Sequence, residues 1–77
     1  MNAVYRVIAK YTGISAKDLK PEMDLESDLA VDSVTRYEIA TACEAAFELE
    51  YIPTEDVVAA ITVQDIVDLV NKYTLSI

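Results

Sequence analysis

Apolar residues recur along this chain with a helical period in three stretches and with no period in a fourth. Between residues 3 and 12, Val4, Val7, Ile8 and Tyr11 stand at i, i+3, i+4 and i+7, one stripe of a helix. Gly13, the only glycine, follows where a left-handed C-terminal cap belongs, and Ile14 is placed to make the hydrophobic contact that accompanies it. Residues 14–31 lose the period, contain Pro21, and carry Leu19, Met23, Leu25 and Leu29 as isolated apolar positions. They predict a long connection pinned to the core at intervals, with a short turn of helix around Ala16 to Leu19 capped by Ser15. A connection of this length in a compact domain is often functional.

From Ser33 to about Glu48 the helical pattern returns. Ile39, Cys43 and Ala46, with Glu50 a turn further on, follow one line, and Ala40 and Phe47 lie beside it, so the apolar members should face the core. Alanines 40, 42, 45 and 46 favour the helix and let a neighbour approach closely. Glu38, Glu44 and Glu48 fall on the other side, where exposure is expected. Val34 and Tyr37 sit near the helix start, off the apolar line, placed either to pack on the long connection or to meet a partner. Tyr51-Ile52-Pro53 should break the helix, because proline disfavours the α conformation in the residue before it. Thr54 is then expected to cap a short helix from Glu55 to Ala60, with two acids in its first turn as the helix dipole prefers. Thr62-Val63-Gln64-Asp65 reads as a capping box with Asp in the usual Glu position, opening a last helix whose Val63, Ile66, Val67 and Val70 form a stripe. No repeat, low-complexity tract or linker divides the chain, and residues 1–77 read as one domain.

Composition sharpens this picture. A 77-residue chain that is 53 % hydrophobic, with one Gly and two Pro, is expected to fold, and mostly as helix. Its size is near the lower limit for a self-sufficient core. No apolar run approaches the length a bilayer needs. The opening Met1-Asn2-Ala3-Val4-Tyr5-Arg6 lacks the apolar core of a signal peptide, and Cys43 has no partner for a disulfide; a cytoplasmic monomer is the expectation. The formal net charge of −8 argues against nucleic acid as a ligand. Twelve of the fourteen acids lie between Asp18 and Asp56, whereas residues 1–13 hold Arg6 and Lys10 and no acid. So one-signed a stretch suits basic partner surfaces. Crowded carboxylates should also repel one another and lift their pKa values in the compact state, while those that cap helices act in the opposite sense.

The chain has no histidine, which removes Ser-His-Asp and Cys-His catalysis, and with one cysteine it cannot build a soft N/S metal site. No enzymatic activity is expected. Asp24, Glu26, Asp28 and Asp32 fall on an EF-hand spacing, but Leu29 stands where glycine is required and Thr35 where the bidentate glutamate belongs. Cys43, on the core side of its helix, reads as a small buried hydrophobe.

Asp32-Ser33-Val34 is different. Asp32 is a good N-cap, which makes Ser33 the first helical residue, with no preceding turn to pack against and its hydroxyl in solvent. Free N–H groups and the positive end of the helix dipole suit that position to an anion, including a phosphodiester carried by the serine itself.

On these residues the chain resembles the acyl carrier proteins. The family pattern of a leucine, a glycine, a variable residue and Asp-Ser-Leu at the start of the second helix reads here Leu29-Ala30-Val31-Asp32-Ser33-Val34. Further matches are Phe47 closing that helix, Ile52-Pro53 with Glu55-Asp56 opening the third, and Thr62 to Asp65 opening the last. The resemblance implies an all-α four-helix bundle with a long first loop and a short third helix. It also implies that Ser33, flanked by Asp32, receives 4′-phosphopantetheine from coenzyme A through a phosphopantetheinyl transferase. The terminal thiol would carry acyl groups as thioesters to acyl-transferring and condensing enzymes with basic docking surfaces, in fatty-acid or polyketide-like biosynthesis. Val34, Tyr37, Glu38, Glu44 and Glu48 would form the partner-facing side. Ala30 and Val34 replace the usual glycine and leucine, Phe47 to Pro53 is one residue longer than the common spacing, and Arg36, Ala45 and Ala46 occupy positions that are often acidic. A helical interaction module that is never modified is the alternative. A peptidyl or aminoacyl carrier is less favoured, since Ala30-Val31 stands where that group usually has a Gly-Gly pair.

Overall fold

The computed structural model describes residues 3–49 and 51–74. The described residues form four helices: α1 (Ala3–Thr12), α2 (Ser33–Phe47), α3 (Thr54–Ala59) and α4 (Val63–Tyr73), with a 3₁₀ turn at Ala16–Asp18 in the connection after α1. Helix α1 packs on α2 and α4, and the short α3 bridges α2 and α4 at the other side. The stripes predicted for α1 and α4 are the buried faces: Val4 and Ile8 from α1, and Val63, Ile66, Val67 and Val70 from α4. From α2, Ile39, Ala40 and Cys43 are buried. Each large side chain taken fully out of water here contributes about 1.5–3 kcal/mol before entropy is counted. None of the described helices is long and apolar enough to cross a membrane.

Helix ends follow local chemistry. Gly13 takes φ +77° and its N–H donates to the Ala9 carbonyl at 2.9 Å, the left-handed cap expected after α1. At α4 the capping box is complete: Asp65 N–H donates to Thr62 Oγ1 at 3.2 Å, and Asp65 Oδ2 accepts from the N–H groups of Thr62 and Ile61. Other ends depart from expectation. Ser15 makes no capping hydrogen bond to the 3₁₀ turn. Pro53, not Thr54, holds the N-cap position of α3; its carbonyl accepts from Asp56 and Val57, and Thr54 is already helical. Helix α2 stops before Tyr51-Ile52-Pro53, because Glu48 turns left-handed at φ +52° and the N–H groups of Glu48 and Leu49 both close on the Glu44 carbonyl. The end thus falls near Glu48, as the pattern predicted, but it is set by this left-handed cap rather than by Pro53. Ala46 is exposed rather than buried, since Phe47 and Leu49 cover that end of the core instead. Glu50 lies outside the described residues.

The long connection is held by backbone as well as by side chains. It runs antiparallel to the start of α4 through a single bridge between Asp24 and Thr62. Leu25 N–H donates to the Ile61 carbonyl at 2.8 Å, while Val63 and Gln64 donate to the carbonyls of Met23 and Pro21. Two otherwise unpaired donors of the first turn of α4 thus find acceptors in the loop. Leu19, Leu25, Leu29 and Val31 are buried and Met23 packs half-buried, so the isolated apolar positions are anchors, as predicted.

Ala30, just before α2, has φ +56°. A Cβ in this region meets the neighbouring carbonyl, which is the physical reason a glycine suits the position. The Ala30 side chain is exposed, so removing it takes nothing from the core. Ala30→Gly should therefore stabilise the domain by about 0.5–1 kcal/mol, a rise of roughly 2–8 °C in Tm. A melting curve checks this, and a fall in Tm would contradict it.

Candidate functional site

The site forms where the anchored loop turns into α2. Val31, buried, ties the turn closed by donating its N–H to the Leu25 carbonyl at 2.8 Å. Asp32 follows in extended conformation as the N-cap of α2, its Oδ1 accepting from Thr35 N–H at 2.8 Å and its carbonyl accepting from Arg36 N–H. Ser33 is consequently the first residue of the helix. It is exposed, and its hydroxyl is engaged by no other described residue. Val34 beside it is 65 % exposed.

Two surface grooves flank this helix start. One, of about 380 Å³, is lined by Glu26, Ala30, Val31, Asp32, Ser33 and Arg36. The other, of about 490 Å³, lies between α1 and α2 and gathers Tyr11, Val34, Tyr37 and Glu38 with the small Thr41, Ala42 and Ala45. Three of the residues expected to face partners therefore share one groove. Glu48 is exposed but sits at the far end of α2 as its left-handed cap. Glu44 is not the exposed acid predicted: it is half-buried, and its Oε2 accepts from Ile52 N–H at 2.9 Å, tying α2 to the segment before α3. Tyr11, expected in the apolar stripe of α1, and Arg36, in sequence only a departure from an acidic helix, are additions to the site. Tyr11 reaches the groove only through the packing of α1 on α2, whereas the three-residue spacing of Ser33 and Arg36 was a usable signal.

Two acids of the loop have backbone partners. Asp24 Oδ1 accepts from Glu26 and Ser27 N–H groups, and Asp28 Oδ2 accepts from Asp24 N–H. Among the described residues no cluster of three or more ligating side chains could hold a metal ion. Burial pushes the Cys43 thiol up to about 11, with the Glu44 charge adding to the effect, so it stays protonated and inert at neutral pH.

Hydrogen bonds from backbone N–H groups hold three aspartates below the ordinary value of 3.8: Asp24 chiefly through Ser27, Asp32 through Thr35, and Asp65 through Ile61 and Thr62. A depressed folded pKa contributes stability that is complete above the unfolded value and is lost as pH falls through the folded one. Tm should accordingly drop as pH is lowered through 3.8 and beyond, the window in which the loop and two helix caps lose their acceptors. Asp65→Asn should begin with a lower Tm at neutral pH and show a shallower acid slope. Melting curves across that range test it, and an identical slope in the variant would count against these groups.

The residues at the start of α2 fit a covalently attached phosphodiester: a free hydroxyl in solvent, first-turn N–H groups, and a guanidinium in the same groove with a spare donor, the Arg36 Nε, which has no partner among the described residues. Comparison with known proteins agrees with this chemistry. The family model described as the phosphopantetheine attachment site matches residues 2–70. Among solved structures, the solution structure of the apo doublet acyl carrier protein from prodigiosin biosynthesis superposes with a TM-score of 0.78 at 28 % identity. The match covers 96 % of this chain and 35 % of that one, so the present chain spans about a third of that neighbour's length. An all-helical fold of this topology, matched over nearly its full length by the attachment-site family, places the chain in the acyl carrier family, as a carrier domain that bears covalent 4′-phosphopantetheine and is not itself a catalyst.

Proposed function

We propose that Ser33 is the attachment residue and that the domain presents acyl intermediates to the enzymes of a fatty-acid or polyketide-like pathway. The observation that carries this is the free, exposed Ser33 hydroxyl at the first position of α2, directly behind the Asp32 cap. In the attachment step the Ser33 oxygen attacks the pantetheine-side phosphorus of the coenzyme A pyrophosphate. Adenosine 3′,5′-bisphosphate leaves, the serine proton is lost, and a phosphodiester remains. A phosphopantetheinyl transferase supplies the catalysis, as it does for carrier domains generally. Once attached, the group supplies a terminal thiol that holds an acyl chain as a thioester. The chain's own residues position the anchor: Asp32 fixes the helix start, and Leu25 and Val31 fix the turn that delivers it.

Other serines are less suited. Ser27 N–H is held in the Asp24 turn, and Ser15 lies beside the 3₁₀ turn, away from any long helix N-terminus. Ser76 lies outside the described residues. The α1–α2 groove beside Val34, Tyr37 and Glu38 supports docking of an apolar, basic partner surface close to the attachment point. Work of the neighbouring protein in prodigiosin biosynthesis favours a specialised pathway as readily as a housekeeping one.

Incubation with coenzyme A and a broad-specificity transferase, followed by intact-mass measurement and peptide mapping, tests the proposal. One adduct on the peptide containing Ser33 is expected. No adduct, or one on another serine, would overturn it. The rate should fall as salt is raised, because the Debye length shrinks from about 10 Å at 0.1 M to about 3 Å at 1 M; a salt-independent rate would remove the acids from docking.

A further inference from the structure

We infer that Arg36 is a positioning residue for the prosthetic group, its guanidinium clamping the phosphodiester on Ser33 and holding the root of the arm on the side of α2 that faces α3. The inference rests on Ser33 being the attachment residue. Arg36 is the single basic residue between Lys20 and Lys72, in the most acidic part of the chain. It stands three positions after Ser33 on α2, so the two side chains are neighbours on one helix face, and both line the 380 Å³ groove.

The guanidinium is under-used. Of its five donors, Nη1 reaches the Val58 carbonyl at 3.4 Å, beyond the usual length of an N–H···O bond. Its Nε is shut off from solvent and has no acceptor among the described residues. Buried donors are rarely left so. No carboxylate is hydrogen-bonded to it among the described residues: the described ion pair is Lys72 with Asp56, and Asp24 Oδ1 and Asp32 Oδ1 accept from backbone N–H groups. Asp24, which shares a second groove with Arg36 and Glu26, feels the guanidinium only through space, the last of the causes that lower its pKa. A phosphodiester brings one negative charge shared by two free oxygens, which matches the guanidinium fork. A modest rotation that gives up the long contact to Val58 would supply the acceptor the side chain lacks. It would also place the charge against the N-terminal end of the α2 dipole, where an anion is favoured.

Two measurements decide it. In ¹⁵N-arginine-labelled protein, the Arg36 Nε–Hε resonance should shift when Ser33 is modified, while that of Arg6 stays in place. In parallel, Tm is compared before and after modification for the parent, Arg36→Gln and Arg36→Lys. Modification adds a negative charge to a protein of net charge −8. The change in Tm on modification should be more favourable in the parent than in Arg36→Gln by about 2–4 °C, with Arg36→Lys between them, and the gap should narrow in high salt. An Arg36 resonance indifferent to modification, or equal changes in Tm for parent and Arg36→Gln, would overturn the inference. The resonance is read on unaltered protein, so a variant that fails to fold does not remove the test. Failure of any adduct to form on Ser33 overturns the attachment proposal and this one with it, whereas a clean adduct with a silent Arg36 overturns this one alone.

Discussion

Protein carrying Ser33→Ala should melt within about 2–4 °C of the parent and take up no phosphopantetheine under conditions that convert the parent completely. The stability half of this expectation follows from where the hydroxyl stands. Ser33 is exposed, its hydroxyl has no partner among the described residues, and the cap of α2 is made by Asp32 through Thr35 N–H, one residue upstream. Alanine is also the better helix former, so the helix itself loses nothing. The chemical half follows from the loss of the one hydroxyl among the residues that line that groove. Ser27→Ala, on the same loop, should accept the group at the parental rate. Intact mass on the three proteins, with circular dichroism to confirm the fold, checks both halves. An adduct that persists in Ser33→Ala would remove Ser33 from the mechanism, and one lost in Ser27→Ala would shift attention to the loop.

The start of α2 was legible in the sequence because everything that defines it is local. An aspartate followed by a serine and a run of helical residues specifies a cap, an N1 position and an exposed hydroxyl without reference to the rest of the fold. The same holds for α1, closed by the one glycine, and for α4, opened by a capping box. The end of α2 falls near Glu48, where the pattern placed it, but what sets it was not legible. Glu48 adopts the left-handed conformation that glycine normally marks, so the stop was assigned to Pro53 instead. Glu44 was misread because helical phase says which way a side chain leaves the backbone. It does not say that the carboxylate of a long side chain can reach round to the Ile52 N–H eight residues on.

The flanks of the site needed tertiary information. Tyr11 belongs to the groove beside Val34 and Tyr37 only because α1 packs against α2. Arg36 looked like a departure from an acidic helix. Its meaning comes from the tertiary setting: Asp24 Oδ1 and Asp32 Oδ1 are engaged by backbone, no described carboxylate is hydrogen-bonded to the guanidinium, and its Nε is left without an acceptor. Ala30 shows the opposite case: the residue stood out as an exception to the family pattern, and its positive φ gives the physical cost of that exception.

The largest loss of stability from a single side chain in the connection should come from Leu25→Ala. Leu25 lies outside any helix, yet it is 0 % exposed and belongs to the main core with Ile8, Ile39 and Val63. Truncating a fully buried leucine removes the transfer energy of its methyl groups and leaves a cavity, together about 2–5 kcal/mol. A domain of this size has roughly 4–12 kcal/mol to lose. The fall in Tm should then be at least about 10 °C. Met23→Ala, half-buried two residues earlier, should cost clearly less. The position matters to the site as well. Leu25 N–H is bonded to Ile61 and its carbonyl to Val31 N–H, so it couples the start of α4 to the turn that sets Asp32 and Ser33. In Leu25→Ala protein kept folded by low temperature, transfer of phosphopantetheine should slow, because the helix start is no longer held in one place. Amide exchange at Val31 and Thr35 should quicken in step. A melting point within about 3 °C of the parent would mean that the loop is anchored by its backbone bonds alone, with Leu25 filling space that the neighbouring side chains can close.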